Sequence, residues 1–136
     1  MDLLLTPIGT VESGLTDPGS APNQGDEGAP EAVIAFDAAV EGALEGIEAG
    51  HELVVLTWLH LGRRDVLRVH PRGDRERPLQ GVFNTRSPNR PNPIGLHRVK
   101  VVAVGTATLR VTNLEAVHGT PVVDVKPVLS GRVDER

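Results

Sequence analysis

Arg98-Val-Lys-Val-Val-Ala-Val-Gly-Thr-Ala-Thr-Leu-Arg-Val-Thr-Asn-Leu114 reads as two β-strands joined by a tight turn. Val and Thr dominate, residues whose branched side chains suit a pleated surface. Gly105-Thr106 fits a two-residue type II′ hairpin between Arg98–Val104 and Ala107–Leu114. Upstream, Leu53 to Leu61 is almost continuously apolar and predicts a strand buried on both faces. Val66 to His70 alternates as a further strand, Pro121 to Lys126 is the last, and Leu3 to Val11 and Ala32 to Phe36 supply two more near the start.

Only one segment has helical spacing. Asp37 is placed as an N-cap, Val40, Leu44 and Ile47 share a face, Glu41, Glu45 and Glu48 lie outside it, and Gly50 provides the stop. Gly42 and Gly46 weaken that helix by about 1 kcal/mol each. Six or seven short strands with one short helix and no βαβ rhythm predict a mostly β fold, a small barrel-like antiparallel sheet, as one domain over residues 1–136.

Composition removes several chemistries. There is no cysteine, hence no disulfide, no thiolate metal site and no cysteine nucleophile. No glycine-rich strand-to-helix turn, phosphate loop or G-x-S-x-G is present, and the five histidines lack ligand spacing, so no metal site is expected. One Trp, two Phe and no Tyr argue against an aromatic base-stacking platform. No basic segment precedes an apolar run and no stretch approaches membrane-spanning length, which predicts a soluble cytoplasmic protein.

Charge is sharply segregated. Residues 1–62 hold eleven carboxylates and no Lys or Arg, whereas 63–114 hold eleven Lys or Arg against three carboxylates, a balance of +8. A basic block on an acidic chain predicts that an anionic partner meets that surface, unless the two blocks pair with each other.

Within the basic block lies Gly81-Val-Phe-Asn-Thr-Arg-Ser-Pro-Asn-Arg-Pro-Asn-Pro-Ile-Gly-Leu96. Pro88, Pro91 and Pro93 exclude a helix and stiffen the chain, so Arg86 and Arg90 are carried on a rigid, irregular loop. Such arginines either hold an anionic guest or tie the loop to its own carbonyls. Ser87 precedes a proline and has no evident base, which reads as a turn hydroxyl. A second segment, Glu115-Ala-Val-His-Gly-Thr-Pro-Val-Val-Asp-Val-Lys126, enters a strand through Gly119-Thr120-Pro121. Alternation sets Asp124 and Lys126 on one face and Val123 and Val125 on the other. The charged pair is a solvated salt bridge if it faces out and part of a polar site if it faces in.

The two segments together, G-V-F-x-T-R-S-P-x-R-P-N-P-I-G-L and, about twenty residues on, G-T-P-V-V-D-V-K-P, resemble the tRNA-methyltransferase O (TrmO, TsaA-like) family over nearly the whole chain. The resemblance implies a non-Rossmann, mostly β methyltransferase that uses S-adenosylmethionine and acts as a homodimer. Its acceptor would be the exocyclic nitrogen of threonylcarbamoyladenosine next to the anticodon of tRNA. Carried over residue by residue, cofactor contacts are expected at Pro22, Asn23 and Gln24 in the turn-rich span Ser13 to Pro30, which reads as a long loop, at His60 and Leu61, at Arg86 and Leu96, and at His118, Gly119, Thr120 and Pro121. Where relatives often have Asp-Gly-Thr-Pro, this chain has His118 first.

With a tRNA as partner, the basic block acquires a polyanionic guest. The threonyl carboxylate of the acceptor favours a bidentate arginine, so Arg86 or Arg90, together with Lys126, is expected to bind substrate. Asp124 is the candidate base or acceptor and Asn92 the candidate orienter. Two alternatives differ in class: a module that binds S-adenosylmethionine without methylating tRNA, and a methyltransferase for another small acceptor.

Overall fold

The computed structural model describes residues 1–14 and 31–129. Six strands close into a barrel in the order β1-β2-β7-β6-β3-β8, where β1 is Gly9–Glu12, β2 Ala32–Phe36, β3 Glu52–Trp58, β6 Ile94–Gly105, β7 Thr108–Thr112 and β8 Pro121–Pro127. Every pairing around the barrel is antiparallel. Two further short strands, β4 (Arg68–Val69) and β5 (Gln80–Gly81), pair with each other outside it.

Alternation along β6 turns Gly95, His97, Val99 and Val101 inward and leaves Ile94, Leu96, Arg98 and Lys100 on the outer face. β3 lies between β6 and β8, with Val55 opposite His97 and Thr57 opposite Gly95. Val11, Ile34, Val55, Leu109, Val111 and Val122 are wholly buried inside the barrel. Each contributes about 1.5–3 kcal/mol relative to exposure, so these strands are held by their inner face.

Several boundaries differ from the sequence reading. The opening strand begins at Gly9; Leu3 and Leu4 are 80% and 95% exposed, because three consecutive leucines have no strand alternation. β6 begins at Ile94, four residues before Arg98, so the end of the proline-rich motif is itself a strand. β3 stops at Trp58, where the Leu59 N–H turns to the Pro93 carbonyl at 2.7 Å. The hairpin pairs Gly105 with Thr108, so its two loop residues are Thr106 and Ala107, and the positive φ (51°) falls on Ala107. Gly105 is needed for clearance instead, since a Cβ there would strike Thr108 Oγ1.

The expected helix is a 3-10 segment, Ala38–Leu44, and Asp37 makes no side-chain capping bond. Two glycines in a short run favour the tighter turn over a full α-helix. Its apolar spacing still matters: Val40, Leu44 and Ile47 pack against the barrel core.

In β8 a bulge intervenes. Leu56 pairs with Asp124 but Thr57 pairs with Val122, which leaves Val123 without a partner. Val122 therefore enters the core, with Val125 packed against it, and the strict alternation expected for Val123 does not hold. Asp124 and Lys126 stay on the outer face, each 48% exposed and 3.2 Å apart. Such a pair is worth roughly 0–1 kcal/mol, so it is not a structural requirement of the barrel.

Candidate cofactor and substrate site

The proline-rich motif is built around Arg90. Its guanidinium donates to the carbonyls of Val82, Thr85 and Ser87. The Thr85 hydroxyl donates to the Val82 carbonyl at 2.9 Å and accepts the Ser87 N–H at 3.1 Å, while Ser87 Oγ accepts the Asn89 N–H at 3.1 Å. Ser87 is thus the turn hydroxyl its sequence context suggested. Of the two arginines, Arg90 ties the loop to itself, which departs from the substrate role expected for it. Arg86 is exposed and makes no hydrogen bond or ion pair among the described residues.

A second loop, residues 59–67, is laced to the motif. The Arg63 N–H donates to Asn89 Oδ1 at 2.9 Å, and the Arg90 N–H to the Arg63 carbonyl at 2.9 Å. Arg64 stacks 5.2 Å above the Trp58 ring and donates to the Pro91 carbonyl and to Asn92 Oδ1. Asn92 is exposed, and with its oxygen held by Arg64 its amide nitrogen is the end left to a ligand. Arg63 is occupied by Asp65 at 2.9 Å, which holds the Asp65 carboxyl below the ordinary range and raises the Arg63 guanidinium. His60 and Leu61 are exposed at the outer turn of this loop.

The Val117–Pro121 turn is fixed differently. Thr120 is buried, its hydroxyl donating to the Val117 carbonyl at 2.7 Å. The Gly119 N–H donates to the Val11 carbonyl at 2.8 Å, and Gly119 has a φ of +90°, the left-handed region that a glycine enters without strain. His118 is exposed, and its Nδ1 accepts the Ser13 N–H at 3.2 Å. A carboxylate at this position could accept the same bond, so the imidazole supplies an acceptor where the family resemblance leads to the expectation of Asp. Pro22, Asn23 and Gln24 lie outside the described residues.

The barrel wall joins these parts. Across β8, β3 and β6, Asp124, Leu56 and Leu96 form one row on the outer face, and Lys126, Val54 and Arg98 the next. Asp124 and Leu96 are thus two strand spacings apart, about 10 Å. Leu61, Phe83, Ile94 and Leu96 are all at least 40% exposed, an unusual amount of apolar surface beside so many cations. Exposed apolar side chains, backbone turns and one carboxylate suit a nucleoside bearing a sulfonium better than they suit a metal. Among the described residues no group of three or more His, Asp or Glu is placed to hold a metal ion.

One feature of the interior was not foreseen. His97 Nε2 lies 2.7 Å from Thr57 Oγ1, and His97 Nδ1 lies 2.7 Å from Glu115 Oε1. Thr57 and His97 are buried, and Glu115 is 14% exposed with Oε2 lacking a partner among the described residues. A Cβ at Gly95 would meet Thr57 Oγ1, His97 Nε2 and Leu59 Cδ2, so the motif glycine is required by this hydrogen bond rather than by its backbone angles. The available signal was His97 falling on the same face of β6 as Val99 and Val101; scattered histidine spacing concealed it.

The family model described as the tRNA-methyltransferase O N-terminal domain matches residues 10–134. A probable S-adenosyl-L-methionine-binding protein of Methanothermobacter thermautotrophicus is 42% identical over 127 residues, covering 93% of this chain and 90% of its own. An S-adenosyl-L-methionine-binding protein of Archaeoglobus fulgidus is 42% identical over 125 residues, covering 91% and 88%. The crystal structure of TrmO from Pseudomonas aeruginosa superposes with a TM-score of 0.77 at 26% identity, covering all of this chain; the chain spans 61% of that protein's length.

Proposed function

Because this chain belongs to the tRNA-methyltransferase O family, we propose that it is an S-adenosylmethionine-dependent methyltransferase acting on the exocyclic nitrogen of threonylcarbamoyladenosine next to the anticodon of tRNA. The observation that carries the reading is the division of labour between the two motif arginines. Arg90 is consumed in making the loop rigid, and Arg86 stands exposed on that rigid loop with no partner among the described residues.

In this reading Arg86 takes the threonyl carboxylate of the acceptor, a planar anion suited to a guanidinium fork. Leu61, Phe83 and Leu96 would cover the apolar faces of the cofactor, and the His118 and Gly119 carbonyls of the turn, whose Gly119 and Thr120 N–H groups are already bonded, would meet its polar ends. Lys126 contributes charge toward the substrate. S-adenosylmethionine, when bound, supplies an electrophilic methyl on a sulfonium. The rest is positioning, which accounts for most of the acceleration available to an in-line displacement. Asp124 accepts the proton of the weakly nucleophilic nitrogen or holds it by a hydrogen bond, and the Asn92 amide orients the acceptor.

Beyond the loop, Arg68 and Arg75 are exposed and without partners among the described residues, cations suited to phosphates. A tRNA substrate sets the compartment as the cytoplasm. The exposed Leu3 and Leu4 support a homodimer, since a second copy would cover them. No helix among the described residues is long and apolar enough to cross a membrane.

A second reading, cofactor binding without transfer, is favoured by the relatives named only for S-adenosylmethionine binding. One assay separates the two. Purified protein is incubated with methyl-labelled S-adenosylmethionine and threonine tRNA with or without the threonylcarbamoyl group. Label in the modified tRNA alone supports methyl transfer; bound cofactor with no transfer to either tRNA supports the second reading.

A further inference from the structure

Thr57, His97 and Glu115 are a chain of hydrogen bonds between three parts of the molecule that the proposed site needs in register. Thr57 is on β3 beside loop 59–67, His97 is on β6 directly after the motif's Leu96, and Glu115 lies three residues before the His118–Pro121 turn. Glu115 sits between Leu114 and Ala116, which are 0% and 3% exposed, so its carboxylate is delivered to His97 by a backbone already anchored in the core. A carboxylate can only accept, which assigns the proton to His97 Nδ1 and, in the neutral ring, leaves Nε2 to accept from the Thr57 hydroxyl. No other charged side chain among the described residues is buried within the barrel.

A buried carboxylate with one unpartnered oxygen is costly to keep, and an apolar residue would fill the same space without that cost. The retained polar chain also forces residue 95 to be glycine. Neither observation is explained by barrel stability. We propose that Thr57, His97 and Glu115 form a positioning relay that fixes the Asn92–Leu96 segment relative to the His118–Pro121 turn, and so sets cofactor affinity without touching the cofactor. The affinity half of this inference rests on the reading that the chain binds S-adenosylmethionine.

The test uses Glu115→Ala, Glu115→Gln and Thr57→Val in the full chain. Calorimetric titration with S-adenosylmethionine is done at least 20 °C below each variant's melting midpoint, so that only folded protein is compared. Glu115→Ala is expected to weaken binding about tenfold, whereas Glu115→Gln, which keeps an acceptor for Nδ1–H, stays within about threefold of wild type. Thr57→Val, nearly isosteric, falls between them.

Amide exchange in ligand-free protein gives a second readout. The Gly119 amide, bonded to Val11, and the Leu59 amide, bonded to Pro93, report the two sides of the relay, and the Phe36 amide, bonded to Ala107 at the far hairpin, is the control. In Glu115→Ala, Gly119 and Leu59 are expected to exchange about tenfold faster while Phe36 does not change. Equal acceleration of all three amides, or wild-type affinity in Glu115→Ala, overturns the relay as a positioning device. Absence of binding by the wild type overturns the cofactor reading instead, and the exchange rates then decide the relay alone.

Discussion

Arg90 holds up the loop from which Arg86 projects. Its guanidinium reaches the carbonyls of Thr85 and Ser87, the residues on either side of Arg86, and that of Val82 at the start of the turn. Two cations four residues apart, equivalent by sequence, therefore have separate roles: one supports the backbone and the other is available to a ligand.

The first prediction follows from that separation. Arg90→Lys cannot reproduce the fork to three carbonyls and should destabilise the protein by about 1–3 kcal/mol, read as a lower urea midpoint. Arg86→Lys should leave the midpoint unchanged and weaken binding of threonylcarbamoylated tRNA. A loss of stability in both variants, or in neither, would contradict the assignment.

Gly95→Ala should be destabilising although alanine is the better residue for a strand. Its methyl would meet Thr57 Oγ1 and His97 Nε2, and small-to-large changes in a packed interior cost about 1–3 kcal/mol. Combining it with Thr57→Ala removes one of the colliding atoms, so the pair should cost less than the sum of the singles. Simple additivity in a double-mutant cycle would show that the two positions do not compete for space.

Glu52 supplies a pH test. The Arg98 guanidinium, 2.8 Å away, hydrogen-bonds its carboxylate and holds the carboxyl below its ordinary value of 4.5, with Lys100 adding to the shift. A carboxyl depressed on folding adds stability that is present above its unfolded-state value and is lost as pH falls through the folded-state value. The side-chain resonance of Glu52 should titrate below the ordinary range in wild type and move up toward it in Arg98→Gln, with Lys100 still holding it slightly down. An unmoved titration midpoint in that variant would show that Arg98 is not the cause.

His118→Asp should retain cofactor affinity, because a carboxylate can accept the Ser13 N–H as the imidazole does. His118→Ala removes the acceptor and should weaken S-adenosylmethionine binding several-fold, measured by calorimetry. Equal affinity in the alanine variant would mean that the bond to Ser13 has no part in holding the site.

The barrel strands were legible in their composition. The Val- and Thr-rich runs Arg98–Val104 and Ala107–Leu114 marked two of them, and the apolar run from Leu53 to Leu61 marked a third, which ends at Trp58. The β8 bulge was not legible, because no residue in Val122-Val123-Asp124 signals an extra residue in the ladder. The apolar spacing of Val40, Leu44 and Ile47 identified the face that packs but not the 3-10 geometry of the segment. In the site, the sequence placed Arg86 and Arg90 on one loop but could not divide their roles, which depend on backbone carbonyls. The Thr57–His97–Glu115 relay joins residues up to 58 positions apart, and only the closed barrel brings them together.

The most direct measurement compares two anticodon stem-loops, one with the threonylcarbamoyladenosine carboxylate and one with that group converted to a carboxamide. Label transfer from S-adenosylmethionine is measured for wild type and for Arg86→Ala. If Arg86 reads the carboxylate, conversion should lower kcat/KM of wild type at least tenfold, about 1.4 kcal/mol, and change Arg86→Ala by less than about twofold. An equal loss in both proteins would contradict the pairing of Arg86 with the substrate.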